Sequence, residues 1–241
     1  MISILITGAS SDIGISFLKT LDKKKYKLGL HYFSNQKELL KIKKSNSNIK
    51  LFKKNLKSEK ECSELFKDFV KWSNGIDILI NLHGVITKKR DWKDLTKKNF
   101  FTDFEYNFFS SFIISKLAFE KMKKKGGKII FTSTSSASHG GGKNSFSYGC
   151  SKILVENLTK FLAREGAKYQ ILSNAIAPGF IKTKFQLKTK TKSEIKSRIN
   201  LIKLKKSGFP HDVSAVLQMM ISENNTFMTG EIIKIDGGDW I

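Results

Sequence analysis

Short apolar runs and stretches of helical periodicity alternate along this chain from its first residues almost to its last. Ile2–Thr7 is an apolar run closed by Gly8, and Asp12–Leu21 carries its apolar positions at helical spacing. Tyr26–Phe33 predicts a second strand and Gln36–Lys44 a lysine-rich helix. Ile49–Lys53 predicts a third strand, followed by helical periodicity over Glu59–Trp72. Ile76–Asn81 is apolar in the manner of a strand buried on both faces. Leu95–Lys123 predicts one long helix or two abutting ones, ending at Gly126-Gly127. Lys128–Thr132 is a fifth strand, Tyr148–Glu165 a helix, and Gln170–Ile176 a sixth strand stopped by Pro178-Gly179. Glu231–Ile235 is a last strand before Asp236-Gly237-Gly238. Strands separated by helices require right-handed crossovers, so the predicted class is α/β, a doubly wound parallel sheet with helices on both faces. There is no internal repeat and no low-complexity linker, and Lys182–Lys206 is the one segment that reads as mobile.

Composition narrows the possibilities. The 241 residues, 40% hydrophobic and 11% aromatic, support a single domain over 1–241 with a full core. No run of 18 apolar residues occurs, so no membrane span is expected. The start, Met1-Ile2-Ser3-Ile4-Leu5-Ile6-Thr7-Gly8, has no basic leader and reads as a strand, not a signal peptide. Cys62 and Cys150 offer neither metal-ligand spacing nor a disulfide framework, which makes the cytosol the expected compartment. The formal net charge is +23, yet only Arg90, Arg164 and Arg198 among the 44 basic residues are arginine. Nucleic-acid sites favour the arginine fork, so the scattered lysines read as a solvated surface and no nucleic-acid partner is expected. Steering of an acidic substrate or carrier is the other use such a charge could serve.

Two features carry chemistry. Tyr148 and Lys152 stand four apart in Tyr148-Gly149-Cys150-Ser151-Lys152, which places them on one helical face. A phenol, with a free pKa of about 10, exchanges protons near neutrality only with such help. The turn Thr7-Gly8-Ala9-Ser10-Ser11-Asp12-Ile13-Gly14 follows a strand and opens a helix, the setting in which glycine lets a backbone approach a pyrophosphate under helix amides.

Together these residues resemble the short-chain dehydrogenase/reductase family in its compact Rossmann-type form, over Ile2 to Gly238, and within it the 3-oxoacyl-acyl-carrier-protein reductases. Gly8 and Gly14 match the family's T-G-x-x-x-G-x-G turn, while Asp12 stands at the middle glycine. Asp12 either points a charge at the pyrophosphate or, the favoured reading, caps the following helix. Asn81-Leu82-His83-Gly84 resembles N-x-A-G, with His83 read as packing, and Asn55-Leu56 resembles the pair that contacts adenine. Ala177-Pro178-Gly179-Phe180-Ile181-Lys182-Thr183 resembles P-G-x-x-x-T, which implies that the backbone at Ile181 and the Thr183 hydroxyl hold the nicotinamide carboxamide.

The resemblance implies hydride transfer between nicotinamide and a carbonyl or secondary alcohol. Tyr148 is then the general acid or base, Lys152 holds the ribose and favours tyrosinate, and Asn107 with a water links Lys152 to solvent. The family's serine stands about 13 residues before the tyrosine, which selects Ser135; counting from Gly127 selects Thr134, and either hydroxyl could bond a substrate carbonyl. An NAD preference calls for a carboxylate at the end of the second strand. His31-Tyr32-Phe33-Ser34-Asn35 supplies none, and Ser34, Asn35 and Lys37 could accept a 2′-phosphate, so NADP(H) is expected over NAD(H).

The resemblance also implies a homo-oligomer, tetramer or dimer. The rings Phe104, Phe108, Phe109 and Phe112 fit either that interface or the core. The substrate is a small or carrier-bound carbonyl compound, with Lys182–Lys206 a candidate lid over it. A sugar or sugar-nucleotide oxidoreductase of surface-polysaccharide synthesis fits as well. The contrasting reading is a non-catalytic dinucleotide-binding sensor, against which Tyr148, Lys152 and Asn107 stand together.

Overall fold

The computed structural model of the chain describes residues 1–44, 46–142 and 144–239, the side chains of Phe185 and Thr189 excepted. Ser45, Lys143, Trp240 and Ile241, which the predicted domain includes, lie outside the described residues. The first half runs β1 (Ile2–Thr7), α1 (Asp12–Thr20), β2 (Tyr26–Tyr32), α2 (Lys37–Lys43), β3 (Ile49–Lys53), α3 (Glu59–Ser73) and β4 (Ile78–Asn81). Then come α4 (Lys97–Phe104), a π-helical turn over Glu105–Phe109, α5 (Ser110–Met122), β5 (Gly127–Thr132) and α6 (Phe146–Gly166). The chain continues through β6 (Ile171–Pro178), α7 (Lys184–Thr189), α8 (Lys192–Leu201), α9 (Pro210–Ile221) and β7 (Ile232–Ile235). Among the described residues all six strand pairings are parallel, in the order β3-β2-β1-β4-β5-β6-β7.

The strands divide their apolar runs by parity, as a period of two requires. Ile4, Ile6, Leu28, Leu30, Ile78 and Ile80 join one core, covered by Phe17 and Leu18 of α1 and by Val213, Leu217 and Met220 of α9. Leu5, Leu79, Ile129 and Phe131 face the other core, under Leu65 and Phe69 of α3, Ile114 of α5 and Val155 of α6. The doubly wound sheet is therefore as expected, but the hydrophobic pattern left α9 unassigned. That helix starts at Pro210, which suits a first helical position, and the Asp212 carboxylate reaches back to accept from the Phe209 amide at 2.7 Å.

Leu95–Lys123 resolves into α4 and α5 joined without a break through the π turn. Residues 182–206 hold α7 and α8, the latter opened by a capping box between Thr191 and Glu194. Arg198 of α8 makes a bidentate pair with the buried carboxylate of Asp239, and the Leu204 amide donates to the Gly237 carbonyl at 3.1 Å. The base of this segment is thus tied to the turn after β7.

Gly29 in β2 makes room for Phe69. A Cβ there would lie 2.2 Å from Phe69 Cδ2, and the ring is fully buried between β2 and α3. Gly29→Ala should overpack this contact and destabilise the protein by about 1–3 kcal/mol in urea unfolding. Unchanged stability would show that the α3 face of the sheet is loosely packed.

Candidate active site

β1 lies between β2 and β4, so the chain reverses its winding direction there and leaves a crevice at the carboxyl ends of those strands. Both loops that enter it are built on glycine. Gly8 has φ +65°, and a Cβ on it would stand 2.7 Å from both N and Cα of His83 in the loop after β4. At Gly14 a Cβ would meet the Ala9 carbonyl oxygen at 2.5 Å. The two glycines thus pack protein backbone on itself.

Ser11, not Asp12, caps α1: its hydroxyl accepts from the Gly14 amide at 3.1 Å. Asp12 is the first residue inside the helix, where its side chain points away from the axis. Its Oδ2 accepts from the Lys184 amide at 2.5 Å and its Oδ1 lies 3.8 Å from Lys184 Nζ. The expectation that Asp12 caps α1 is therefore corrected. It stabilises the start of α7 across the cleft, and two good capping residues in succession hid which one held the cap position.

His31 supports this turn from below. The Gly8 amide donates to His31 Nδ1 at 3.1 Å, so Nε2 carries the proton and donates to the Lys54 carbonyl at 3.1 Å. Burial lowers the His31 pKa to about 4. His83 is likewise engaged at both ring nitrogens, with Thr7 Oγ1 and Ser110 Oγ each at 2.6 Å. Its predicted packing role becomes a polar bridge from β1 to α5, and burial followed by the Lys152 charge holds its pKa well below 6.5.

A cavity of about 560 Å³ opens from the turn, lined by Gly8, Ser10, Ser11, Phe33, Ser34, Asn55, Leu56, Leu82, Gly84 and Tyr106 among others. A second, of about 550 Å³, shares Ser10, Ser11 and Ser34 with it and adds Asp12, Ile13, Asn35, Glu38, Thr183, Lys184 and Lys188. Ser11 satisfies only the Gly14 amide, and the Asp12 and Ile13 amides have no acceptor among the described residues. Apolar walls for a base, hydroxyls and free helix-start amides for phosphates make this donor set fit a dinucleotide. Of the groups expected to take a 2′-phosphate, Ser34 and Asn35 line these cavities and Lys37 does not. Lys184 and Lys188, which the sequence did not single out, do.

Gly84 joins the cavity to the predicted proton-transfer residues. A Cβ there would meet Lys152 Nζ at 2.9 Å and Asn107 Oδ1 at 3.1 Å. Lys152 is only 2% exposed, donates to the Thr132 carbonyl at 2.8 Å, and stands 5.6 Å from the Tyr148 ring centroid. Burial lowers its pKa to about 8. The Tyr148 phenol is pushed up to about 12, first by burial and then by the Asp103 carboxylate. Asn107 sits in the π turn with its side chain committed: Oδ1 accepts from the Val85 amide at 2.8 Å, and Nδ2 donates to the Val85 and Asp103 carbonyls at 2.8 and 2.7 Å. It can offer a relay only its main-chain carbonyl, which Ser111 Oγ approaches at 3.2 Å.

Ser135 is buried after β5, its amide donating to the Pro178 carbonyl at 3.0 Å. Thr134 Oγ1 is within 3.3 Å of Ser136 Oγ and 3.5 Å of that same Pro178 carbonyl. Gly179 packs on Asp236, with 2.6 Å between the position of a Cβ and Asp236 Cβ. Ile181 is bridged to Gly208, and Thr183 Oγ1 accepts from the Gln186 amide at 3.3 Å as the cap of α7. Asn81 is buried at the end of β4, and its Nδ2 lacks a partner among the described residues.

Fold and crevice together are those of a Rossmann-type α/β protein. Residues 8–239 match the family model described as Enoyl-(Acyl carrier protein) reductase. The chain is 32% identical over 238 residues to the 3-oxoacyl-[acyl-carrier-protein] reductase FabG of Rickettsia prowazekii, covering 97% of this chain and 95% of that one. It is 29% identical over 240 residues to the 7alpha-hydroxysteroid dehydrogenase of Bacteroides fragilis, covering 98% and 93%. The solved structure of ElxO with NADP bound superimposes with TM-score 0.89 at 28% identity, over 99% of this chain and 98% of that one. The chain belongs to the short-chain dehydrogenase/reductase family and is an oxidoreductase that uses a nicotinamide cofactor. Among the described residues no helix is long and apolar enough to cross a membrane.

His31 gives this site a pH signature. Its pKa is about 4 in the fold against 6.5 when free, so the unfolded chain binds more protons between those values. The stability contribution is complete above pH 6.5 and is lost as pH falls toward 4, by about 3 kcal/mol for this one group. His83 adds to it in the same direction. Urea unfolding from pH 7 down to pH 4.5 should show this loss, and His31→Gln should remove its share of the slope. An unaltered slope in the variant would contradict the buried, neutral imidazole.

Proposed function

We propose that this protein is an NADP(H)-dependent reductase of carbonyl compounds, or the reverse dehydrogenase, with Tyr148 as the proton-transfer group. The observation that carries the reading is Lys152: a buried ammonium beside the Tyr148 ring, touching the same glycine that lines the dinucleotide-sized cavity. The cofactor would supply or accept a hydride at its nicotinamide ring. In the reducing direction Tyr148 gives its hydroxyl proton to the substrate oxygen as the carbonyl carbon gains hydride, and the product is the secondary alcohol.

Lys152 favours the transient tyrosinate by its charge and holds the ribose; the Thr132 carbonyl fixes the ammonium in place. Ser135 bonds the substrate oxygen, since the Thr134 hydroxyl is turned to Pro178 and Ser136. Asn107 holds Val85 by both its amide and its carbonyl and would present its own main-chain carbonyl to a water serving Lys152. The turn residues Gly8, Ser10, Ser11, Asp12 and Ile13 hold the pyrophosphate, Asn55, Leu56 and Gly84 border the adenosine and ribose, and Asn81, at the end of β4, joins them. Pro178, Gly179, Ile181 and Thr183 form the nicotinamide wall.

Phe33, Ser34 and Asn35 present no carboxylate where a 2′-hydroxyl would be bound, and Glu38 nearby is paired with Lys41 at 2.9 Å. Lys184 and Lys188 add positive charge to that cavity, which suits a 2′-phosphate. The whole chain is one domain, with residues 182–206 as its substrate lid. Phe101, Phe109, Phe112 and Phe146 are exposed on α4 to α6, an apolar face for a second copy of the chain in a dimer or tetramer. The basic surface suits an acidic carrier of the substrate, and the free thiols of Cys62 and Cys150 suit the cytosol.

Titration with NADPH and NADH, followed by energy transfer from tryptophan, should show NADPH bound at least tenfold more tightly. Equal affinities would overturn the cofactor assignment and leave the chemistry; binding of neither would overturn the function.

A further inference from the structure

Asp12 gives the cofactor turn a contact that a glycine could not make. Its Oδ2 accepts from the Lys184 amide, 172 positions away in sequence, and so fastens the first residue of α7 to the first residue of α1. The Thr183 hydroxyl takes the Gln186 amide, so two of the amides that open α7 are already held. What α7 has left to offer a ligand is its side chains. Lys184 and Lys188 stand four apart, on one side of the helix, and both line the cavity that reaches Ser34 and Asn35 beyond β2.

The two parts of the lid are fastened differently. Its base is tied by the bidentate pair of Arg198 with the buried Asp239. Its first helix is held by Asp12, whose Oδ1 lies 3.8 Å from an ammonium on a side chain that is 77% exposed. An exposed pair of this kind holds weakly, so the Lys184 ammonium is available to a stronger anion while its amide stays on Asp12. Glu38, the other carboxylate lining this cavity, is paired with Lys41. Lys188 enters no ion pair among the described residues. In a fold of this kind the 2′ position of the adenosine ribose is read at the end of the second strand. Ser34 and Asn35 stand there, and Lys37, the nearest cation in sequence, lines neither cavity.

We propose that the lid itself discriminates between the two cofactors: Lys184 and Lys188 close on the 2′-phosphate opposite Ser34 and Asn35, so that NADPH, and not NADH, fastens α7 over the cleft. This rests on the NADP(H) reading of the cofactor and goes beyond it in giving the choice to α7 and coupling it to closure. Asp12 sets α7 in place beforehand, and the phosphate completes the dock with charge-assisted bonds from two ammonium groups. The pyrophosphate, which both cofactors share, belongs to the free amides at the start of α1 and leaves α7 as loosely held as before.

The test needs no substrate and has two readouts, cofactor affinity and amide hydrogen exchange over residues 183–190 by mass spectrometry. Lys184→Ala and Lys188→Ala should each weaken NADPH about tenfold and leave NADH within about twofold. Lys188→Arg, which keeps the charge, should hold NADPH within about threefold of the wild type. Adenosine 2′,5′-bisphosphate should slow exchange over 183–190, and adenosine 5′-monophosphate at matched occupancy should not. Equal losses for NADPH and NADH in the two alanine variants would put the ammonium groups on the pyrophosphate and overturn the proposal. Loss of NADPH affinity in Lys37→Ala, with both α7 variants unchanged, would return the 2′-phosphate to the end of β2 and overturn it too. Equal slowing by the two nucleotides would overturn the coupling to closure. Equal affinity of the wild type for NADPH and NADH is a different failure, which strikes the cofactor assignment and this proposal with it. A wild-type preference for NADPH that survives both lysine variants strikes this proposal alone.

Discussion

Everything at the active end of this protein hangs on the contact between two strand ends. Gly8, after β1, lies so close to His83, after β4, that no side chain fits between them. The Leu82 amide donates to the Thr7 carbonyl at 3.0 Å, and Thr7 Oγ1 reaches the His83 ring at 2.6 Å. That seam is where the sheet reverses its winding, so the cavity, the helix-start amides of α1 and the floor under Lys152 are set from one place. Gly84 repeats the device one residue further on, where bare backbone lets Lys152 and Asn107 come to the same point. Backbone packing that excludes Cβ atoms holds such positions more rigidly than side-chain contacts, which adjust by rotamer.

Burial then sets the chemistry. It pushes both members of the Tyr148–Lys152 pair toward their neutral forms, the phenol up to about 12 and the ammonium down to about 8. At about 8 the ammonium still keeps its proton near neutral pH, so a cation stands beside a neutral phenol. The Thr132 carbonyl, which accepts from the ammonium at 2.8 Å, favours its protonated form. The same polar layer includes His31 and His83, neutral rings that satisfy donors and acceptors on both sides. A satisfied network of this kind fixes geometry at the cost of sensitivity to acid.

Much of this was legible in the sequence because it rests on local rules. The strand and helix alternation follows from periodicity, and the candidate site residues could be singled out because each stands at a strand end or at a helical spacing. Part of what escaped depended on contacts distant in sequence. Asp103 looks like any polar residue of α4 until Thr87 and Ser147 are brought to it, 16 and 44 residues away. His31 reads as an ordinary strand residue, and its bond to Gly8 spans 23 positions. Asp12 misled because two capping residues stood side by side and only the backbone shows which one holds the cap. α9 escaped because its start, Phe209-Pro210, lacks the polar cap that usually announces a helix.

The central claim is that the cavity and the Tyr148–Lys152 pair are one site, with Tyr148 needed for turnover and not for cofactor binding. The most direct measurement compares wild type and Tyr148→Phe for NADPH affinity and for reduction of a simple β-keto ester, ethyl acetoacetate. The account predicts affinities within about threefold of each other and turnover lower by roughly 10²–10⁴ in the variant, the share a positioned general acid supplies. Turnover retained within a few-fold would contradict it, and would place the proton donor elsewhere.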